Sequence, residues 1–180
     1  MIHVLLAQGF EEIEAVGVID ILRRADLEVS IVSADNTAQV EGAHGIVIQA
    51  DCTMEGLTPS EMLVLPGGGA GVEHLWENPK VQQLVLDYAA EKKWIAAICA
   101  APQILGKLEL LQNREEVCYP GFEKFLKGAE IGRKSTVRDG MFITSKGPGT
   151  VFDFAYHLVE LLRGEKVAEQ LKEGMLYDQR

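Results

Sequence analysis

The feature that most constrains this chain is a repeated switch in hydrophobic period. Short, unbroken apolar runs alternate with longer segments in which apolar residues recur every three or four positions. IHVLLA (2–7), EVSIVSA (28–34), EMLVLPGGG (61–69) and WIAAI (94–98) read as strands buried on both faces, the third running into a glycine-rich turn. Residues 13–24, 79–92, 100–108 and 150–162 read as helices. In the first of these, Ile13, Val16, Ile19 and Leu22 are spaced for one face, and Arg23 and Arg24 suit the last turn. Asn78-Pro79 supplies a cap and a first-turn proline for the second. The alternation predicts an α/β fold with a doubly wound, mostly parallel sheet, built as one domain over 1–180. Hairpins over 40–50 and across Asp139-Gly140, a short strand at 117–118 and a terminal helix at 165–173 complete the expected elements.

Composition narrows the function classes. A chain of 180 residues, 47% apolar and 24% charged, suits a soluble domain with a substantial core. A net charge of −10 argues against a nucleic-acid partner, which calls for basic patches. No apolar run approaches the roughly 20 residues that cross a bilayer, so no membrane partner is expected. The start, MIHVLLAQGFEE, lacks the basic region of a signal peptide. Three cysteines, Cys52, Cys99 and Cys118, are too few for a disulfide framework and point to free thiols in a reducing, cytoplasmic setting.

The stretch WIAAICAAPQIL (94–105) raises the chemical question. Cysteine at the end of an apolar run is commonly a small packing residue. Cys99, however, falls at the carboxyl end of a strand, where ligands bind in open α/β sheets, and directly before a helix. So tight an entry makes an exposed elbow, with Ala96, Ala97, Ala100 and Ala101 small enough to permit it. Free N–H groups at the helix start favour a thiolate, with an apparent pKa below about 8.5, and can hold an oxyanion. Gly67 and Gly68 end a second strand on the same edge and allow close approach of a ligand; they also fit a plain tight turn. Glu11, Glu12 and Glu14 suit the first turn of a helix. One of them beside Cys99 raises the thiol pKa when charged; when protonated it donates a hydrogen bond to the thiolate, and the two groups share a proton. A carboxyl of that kind is a workable acid/base partner.

GFEEIEAV, LVLPGG, AAICAAP and TSKGPGTVFDFA, in this order, resemble the DJ-1 branch of the DJ-1/PfpI (ThiJ/PfpI) superfamily, from Val4 to about Leu171. The resemblance implies a flavodoxin-like three-layer sandwich, a homodimer, a reactive cysteine at Cys99 and its glutamate partner at Glu14. It places oxyanion-type donors on the backbone of Gly67, Gly68 and Ala100, and borders the pocket with Gly147, Pro148 and the rest of the GPGT segment. Tyr119 stands where human-type pockets carry a histidine and lends only a hydroxyl. Ala100 stands where the PfpI proteases and several glyoxalase-type relatives carry histidine, which removes a Cys–His dyad and argues against peptidase activity. His157 is followed by Leu-Val-Glu, the wrong spacing for a glutamine amidotransferase. His44 and His74 fit a solvated surface or a pocket rim.

Two activities follow from the resemblance: cofactor-independent glyoxalase/deglycase chemistry on methylglyoxal or its adducts, and redox sensing or chaperone-like protection through oxidation of Cys99 to the sulfinate. The expected partner is thus a small reactive carbonyl or an oxidant, with no cofactor and no metal. Surplus apolar residues, Ala15 and Val18 in the first helix and Phe154 and Tyr156 in the last long one, call for cover by a second subunit or by other helices of the chain.

Overall fold

The computed structural model describes residues 1–177. In chain order the elements are β1 (Ile2–Leu6), α1 (Glu12–Arg24), β2 (Val29–Ser33), β3 (Gln39–Glu41), β4 (Val47–Gln49), β5 (Cys52–Thr53), β6 (Met62–Leu65), α2 (Gly69–Glu77) and α3 (Pro79–Ala90). They continue with β7 (Trp94–Ile98), α4 (Pro102–Lys107), β8 (Glu115–Glu116), β9 (Glu130–Ile131), β10 (Thr136–Asp139), β11 (Phe142–Ser145), α5 (Val151–Arg163) and α6 (Glu165–Gly174). Seven strands form one sheet in the order β10-β11-β7-β6-β1-β2-β5. Every pairing in it is parallel except β10 with β11. This is the mostly parallel α/β sheet that the strand–helix alternation predicts, in the flavodoxin-like sandwich that the resemblance implies.

The central strands lack a polar face because both faces are covered. Along β1, Ile2, Val4 and Leu6 join a core with α1, α5 and α6, where they meet Val18, Leu22, Phe154 and Leu158. Leu5 joins the opposite core, with Val72 of α2, Val85 of α3 and Ile104 of α4. Parallel strands need this double cover, which is why their sequences run apolar without alternation.

Several boundaries and faces differ from expectation. The buried face of α1 runs through Glu14, Ala15, Val18, Ile21 and Leu22, while Ile13 and Val16 are exposed. Ile19 and Leu22 face inward as expected, but α1 packs along both the sheet and α5, and the wider stripe needed for two neighbours is centred away from Ile13 and Val16. Ala15, Val18, Phe154 and Tyr156 are all buried within the chain, so its own helices cover them. Helix α2, absent from the sequence reading, follows LPGG directly. The strand expected at 117–118 lies two residues earlier, at β8. The helix expected from residue 100 begins at Pro102, because residues 99–101 form the turn. Among the described residues no helix is long and apolar enough to cross a membrane.

Candidate active site at the Cys99 elbow

The carboxyl ends of β1, β6 and β7 lie side by side at the centre of the sheet. Cys99 leaves β7 with φ at 64°, in the left-handed region that costs a non-glycine residue about 1–3 kcal/mol. Its surroundings impose that conformation. The Cys99 N–H donates to the Ser145 carbonyl at 2.9 Å, and the Cys99 carbonyl accepts the Tyr119 N–H at 2.8 Å. Ala101 N–H closes the turn on the Ile98 carbonyl at 3.0 Å. The elbow read from WIAAICAAP is therefore present, and it turns the sulfur toward the loop after β6.

That loop and the start of α1 complete the site. Glu14 is fully buried because it falls on the inward stripe of α1. Glu11 caps the helix by accepting the Glu14 N–H on its carboxylate at 2.7 Å. Glu14 Oε2 in turn accepts the Gly67 N–H at 2.7 Å. The N–H groups of Gly68 and Ala100 favour negative charge on the Cys99 sulfur, and the Glu14 carboxyl beside it opposes that charge. Gly67 therefore serves the carboxyl, and the donors around the sulfur are Gly68 and Ala100, a narrower set than the three expected. Glycine is required at 67 by space: a Cβ there would lie 2.6 Å from Cys99 Cβ and from Glu14 Oε2. Gly68 has φ at 97°, and a Cβ on it would collide with the backbone of residues 9–11.

Burial dominates the electrostatics. It pushes the Cys99 thiol up to about 12, with the neighbouring Glu14 carboxylate adding to the rise and the Ala100 and Gly68 N–H groups opposing it. The helix start alone therefore does not lower the thiol; an apparent pKa below about 8.5 at Cys99 has to come from Glu14. Cys99 lies outside α4, which starts three residues on, and the electropositive helix start is outweighed by lost solvation. Burial also raises the Glu14 carboxyl to about 7, against the lowering effect of the Gly67 N–H. The two groups titrate as one unit: between about 7 and about 12 the pair retains a single proton. Glu14 Oε1 is buried with no partner outside the pair and is free to carry it.

The remaining residues sort by distance from this pair. Tyr119 is tied by its backbone to the Cys99 carbonyl, and its half-exposed ring borders Gly147, where a Cβ would sit 3.1 Å from Tyr119 Cδ2. Pro148 follows in a single helical turn before α5, and the Gly147 N–H donates to Thr150 Oγ1 at 3.1 Å. His44 Nδ1 is engaged by Glu12 at 2.7 Å and His74 Nδ1 by the Gln8 carbonyl at 2.7 Å, so these two ring nitrogens are committed elsewhere. Glu11, Glu12 and His44 bring ligand-type atoms within 4.8 Å of one another, but the Glu12 oxygens accept from His44 and Glu11 caps α1. Cys118 is buried and its thiol is pushed up to about 12 by desolvation. Sequence reasoning missed the Glu116–Thr144 pair behind the elbow, because Glu116 ends the polar run QNREE and nothing in that run marks it as buried.

The family model described as the DJ-1/PfpI family matches residues 1–161. The chain belongs to the DJ-1/PfpI family. The Parkinson disease protein 7 homolog of Danio rerio is 34% identical over 179 residues, covering 96% of this chain and 95% of that protein. The solved structure described as Toxoplasma gondii DJ-1, oxidized, superposes with a TM-score of 0.94 at 32% identity, covering 98% of each chain. A protein of Pyrococcus abyssi named a deglycase is 30% identical over 164 residues, covering 89% of this chain and 98% of that protein.

Proposed function

We propose that this protein is a DJ-1-type protective protein whose Cys99 acts on methylglyoxal or its adducts with Glu14 as proton partner and without a cofactor. The observation that carries this reading is a fully buried carboxyl, Glu14, set against the Cys99 side chain across Gly67, with the Gly68 and Ala100 N–H groups favouring charge on the sulfur. Two donors favour charge on sulfur and one, from Gly67, favours it on the carboxylate, so the form with the proton on Glu14 is within reach. In that form the thiolate adds to the aldehyde carbon, and Glu14 gives its proton to the oxygen, forming a hemithioacetal. Glu14, now a carboxylate, takes the proton from that carbon to give an enediol and returns it to the neighbouring carbon, while the hydroxyl proton passes to the former ketone oxygen, leaving a lactoyl thioester. Water cleaves the thioester to lactate and regenerates the thiol. The name of the Pyrococcus abyssi relative supports carbonyl-adduct chemistry in the family. Purified protein supplied with methylglyoxal is expected to form lactate, and Cys99→Ala and Glu14→Gln each to abolish it; no product above the buffer rate would end this reading.

A second reading has its own support. The donors that stabilise a thiolate also suit the oxygens of a sulfinate, and the Toxoplasma gondii relative is described as oxidized. Cys99 then senses oxidants, with chaperone-like protection as an output. Mild peroxide is expected to add two oxygens to Cys99 and none to buried Cys118; equal modification would argue for ordinary thiols. The working unit in either case is a cytoplasmic homodimer. Ile13 and Val16, the exposed apolar residues on α1 beside the site, are the surface for the second copy.

A further inference from the structure

A second buried acid sits behind the elbow and takes no part in the chemistry above. Glu116 of β8 is fully buried. Its Oε2 accepts the Thr144 hydroxyl at 2.6 Å, and its Oε1 is buried with no partner. Among the described residues no cation is bonded to it: Arg114 is committed to Asp139 at 3.0 Å. The Thr144 hydroxyl in turn accepts the Val117 N–H at 3.0 Å. Thr144 lies on β11 next to Ser145, whose carbonyl holds the Cys99 N–H, while Tyr119 N–H holds the Cys99 carbonyl. The elbow is therefore gripped from two sides, by β11 and by residues 116–119, and Glu116 with Thr144 fastens those two sides to each other.

We propose that Glu116 and Thr144 form a proton-dependent latch: while Glu116 is neutral, residues 116–119 stay fastened to β11 and hold the Cys99 carbonyl, and when Glu116 ionises the segment loosens. The cause is the bare oxygen. An ionised carboxylate with one buried, unpartnered oxygen and no counter-ion is strongly disfavoured until it reaches water, and it reaches water only by carrying its own backbone outward. The charged groups facing it do not offset this. Asp139 on β10 and Glu115 beside it oppose the charge, Arg114 favours it but is already paired, and β11 presents the neutral Thr144. On β9, Glu130 stands opposite Glu115, so that side adds a further negative group. Burial and these neighbours raise the Glu116 carboxyl to about 7, which sets the change of state near neutrality. Glu116 is a positioning residue: it acts on Cys99 through Tyr119.

The test is amide exchange followed by NMR from pH 5.5 to 8.5 on the whole chain, expressed as protection factors. In the wild type, protection of the Val117 and Tyr119 amides is expected to fall about tenfold or more as pH rises through about 7, with β1 amides unchanged. Glu116→Gln, neutral throughout, is expected to keep both amides protected across the range. Thr144→Val is expected to leave them weakly protected at every pH, and Thr144→Ser to restore the wild-type step; this second pair decides the matter if Glu116→Gln does not fold. A wild-type profile with no step, or a step that survives Glu116→Gln or Thr144→Val, overturns the latch. Neither amide reports on turnover, so the outcome is independent of whether Cys99 acts on methylglyoxal.

Discussion

Cys99 has its backbone and its side chain governed by different partners. Ser145 and Tyr119 hold the main chain in a left-handed turn, whereas Glu14, Gly68 and Ala100 set the charge of the sulfur. The reactivity of the sulfur is therefore a property of the pair. Below about 7 the carboxyl and the thiol both hold protons and no nucleophile exists; above it one proton is shared. Alkylation of Cys99 by iodoacetamide is thus expected to rise through an inflection near pH 7. Removing the ionisable carboxyl with Glu14→Gln leaves a thiol in which burial outweighs the Ala100 and Gly68 N–H groups, so the inflection is expected to move above pH 9. Rates measured by mass spectrometry across pH 5 to 10 check both. An unchanged inflection in Glu14→Gln would show that the carboxyl does not share the proton.

At the scale of elements, what was legible in the sequence was whatever a hydrophobic period or a special residue announces. The strands β1, β6 and β7 were visible because double burial leaves them without polar residues, and the elbow because a cysteine followed one of them among alanines. Which way α1 turned was not visible from the i, i+3 spacing of Ile13 and Val16. Its inward stripe is set by a second neighbour, α5, that only tertiary packing supplies, and the same rotation carries Glu14 to the sulfur. Helix α2 was hidden for a different reason. Its first turn, Gly69-Ala70-Gly71, has the composition of a loop, but Gly71 is small because the helix packs there directly on the chain after β1. A Cβ on Gly71 would lie 2.7 Å from the Phe10 nitrogen and 2.8 Å from its Cα, both backbone atoms that cannot swing aside. Gly71→Ala is therefore expected to destabilise the protein by roughly 2–3 kcal/mol despite the better helix propensity of alanine. It is also expected to slow Cys99 alkylation, because the displaced loop carries Gly67 and Gly68. Urea unfolding and the alkylation rate test the two halves, and a Gly71→Ala protein as stable as wild type would refute the packing argument.

The whole molecule is acidic, at net −10, and it buries two carboxyls that resist ionisation, Glu14 and Glu116, each raised from 4.5 to about 7. For such groups the folded state binds the proton more tightly than the unfolded one. Their contribution to stability is full below about 4.5 and is lost as pH rises to about 7. A rise of this size corresponds to about 3 kcal/mol for each group at order of magnitude. Two histidines, buried His3 and half-buried His157, act oppositely: desolvation lowers both, so their contribution is present above 6.5 and lost as pH falls. The overall profile is therefore flattened, and the acids are resolved only by difference. Subtracting the wild-type melting curve from that of Glu116→Gln or Glu14→Gln removes the histidines, which are common to both. Each variant is expected to gain on wild type steadily from pH 5 to pH 7.5, by roughly 5–10 °C in Tm for a chain of this length. A difference that stays flat over that range would mean that neither carboxyl is held neutral by the fold, and the shared proton at Cys99 would lose its physical basis.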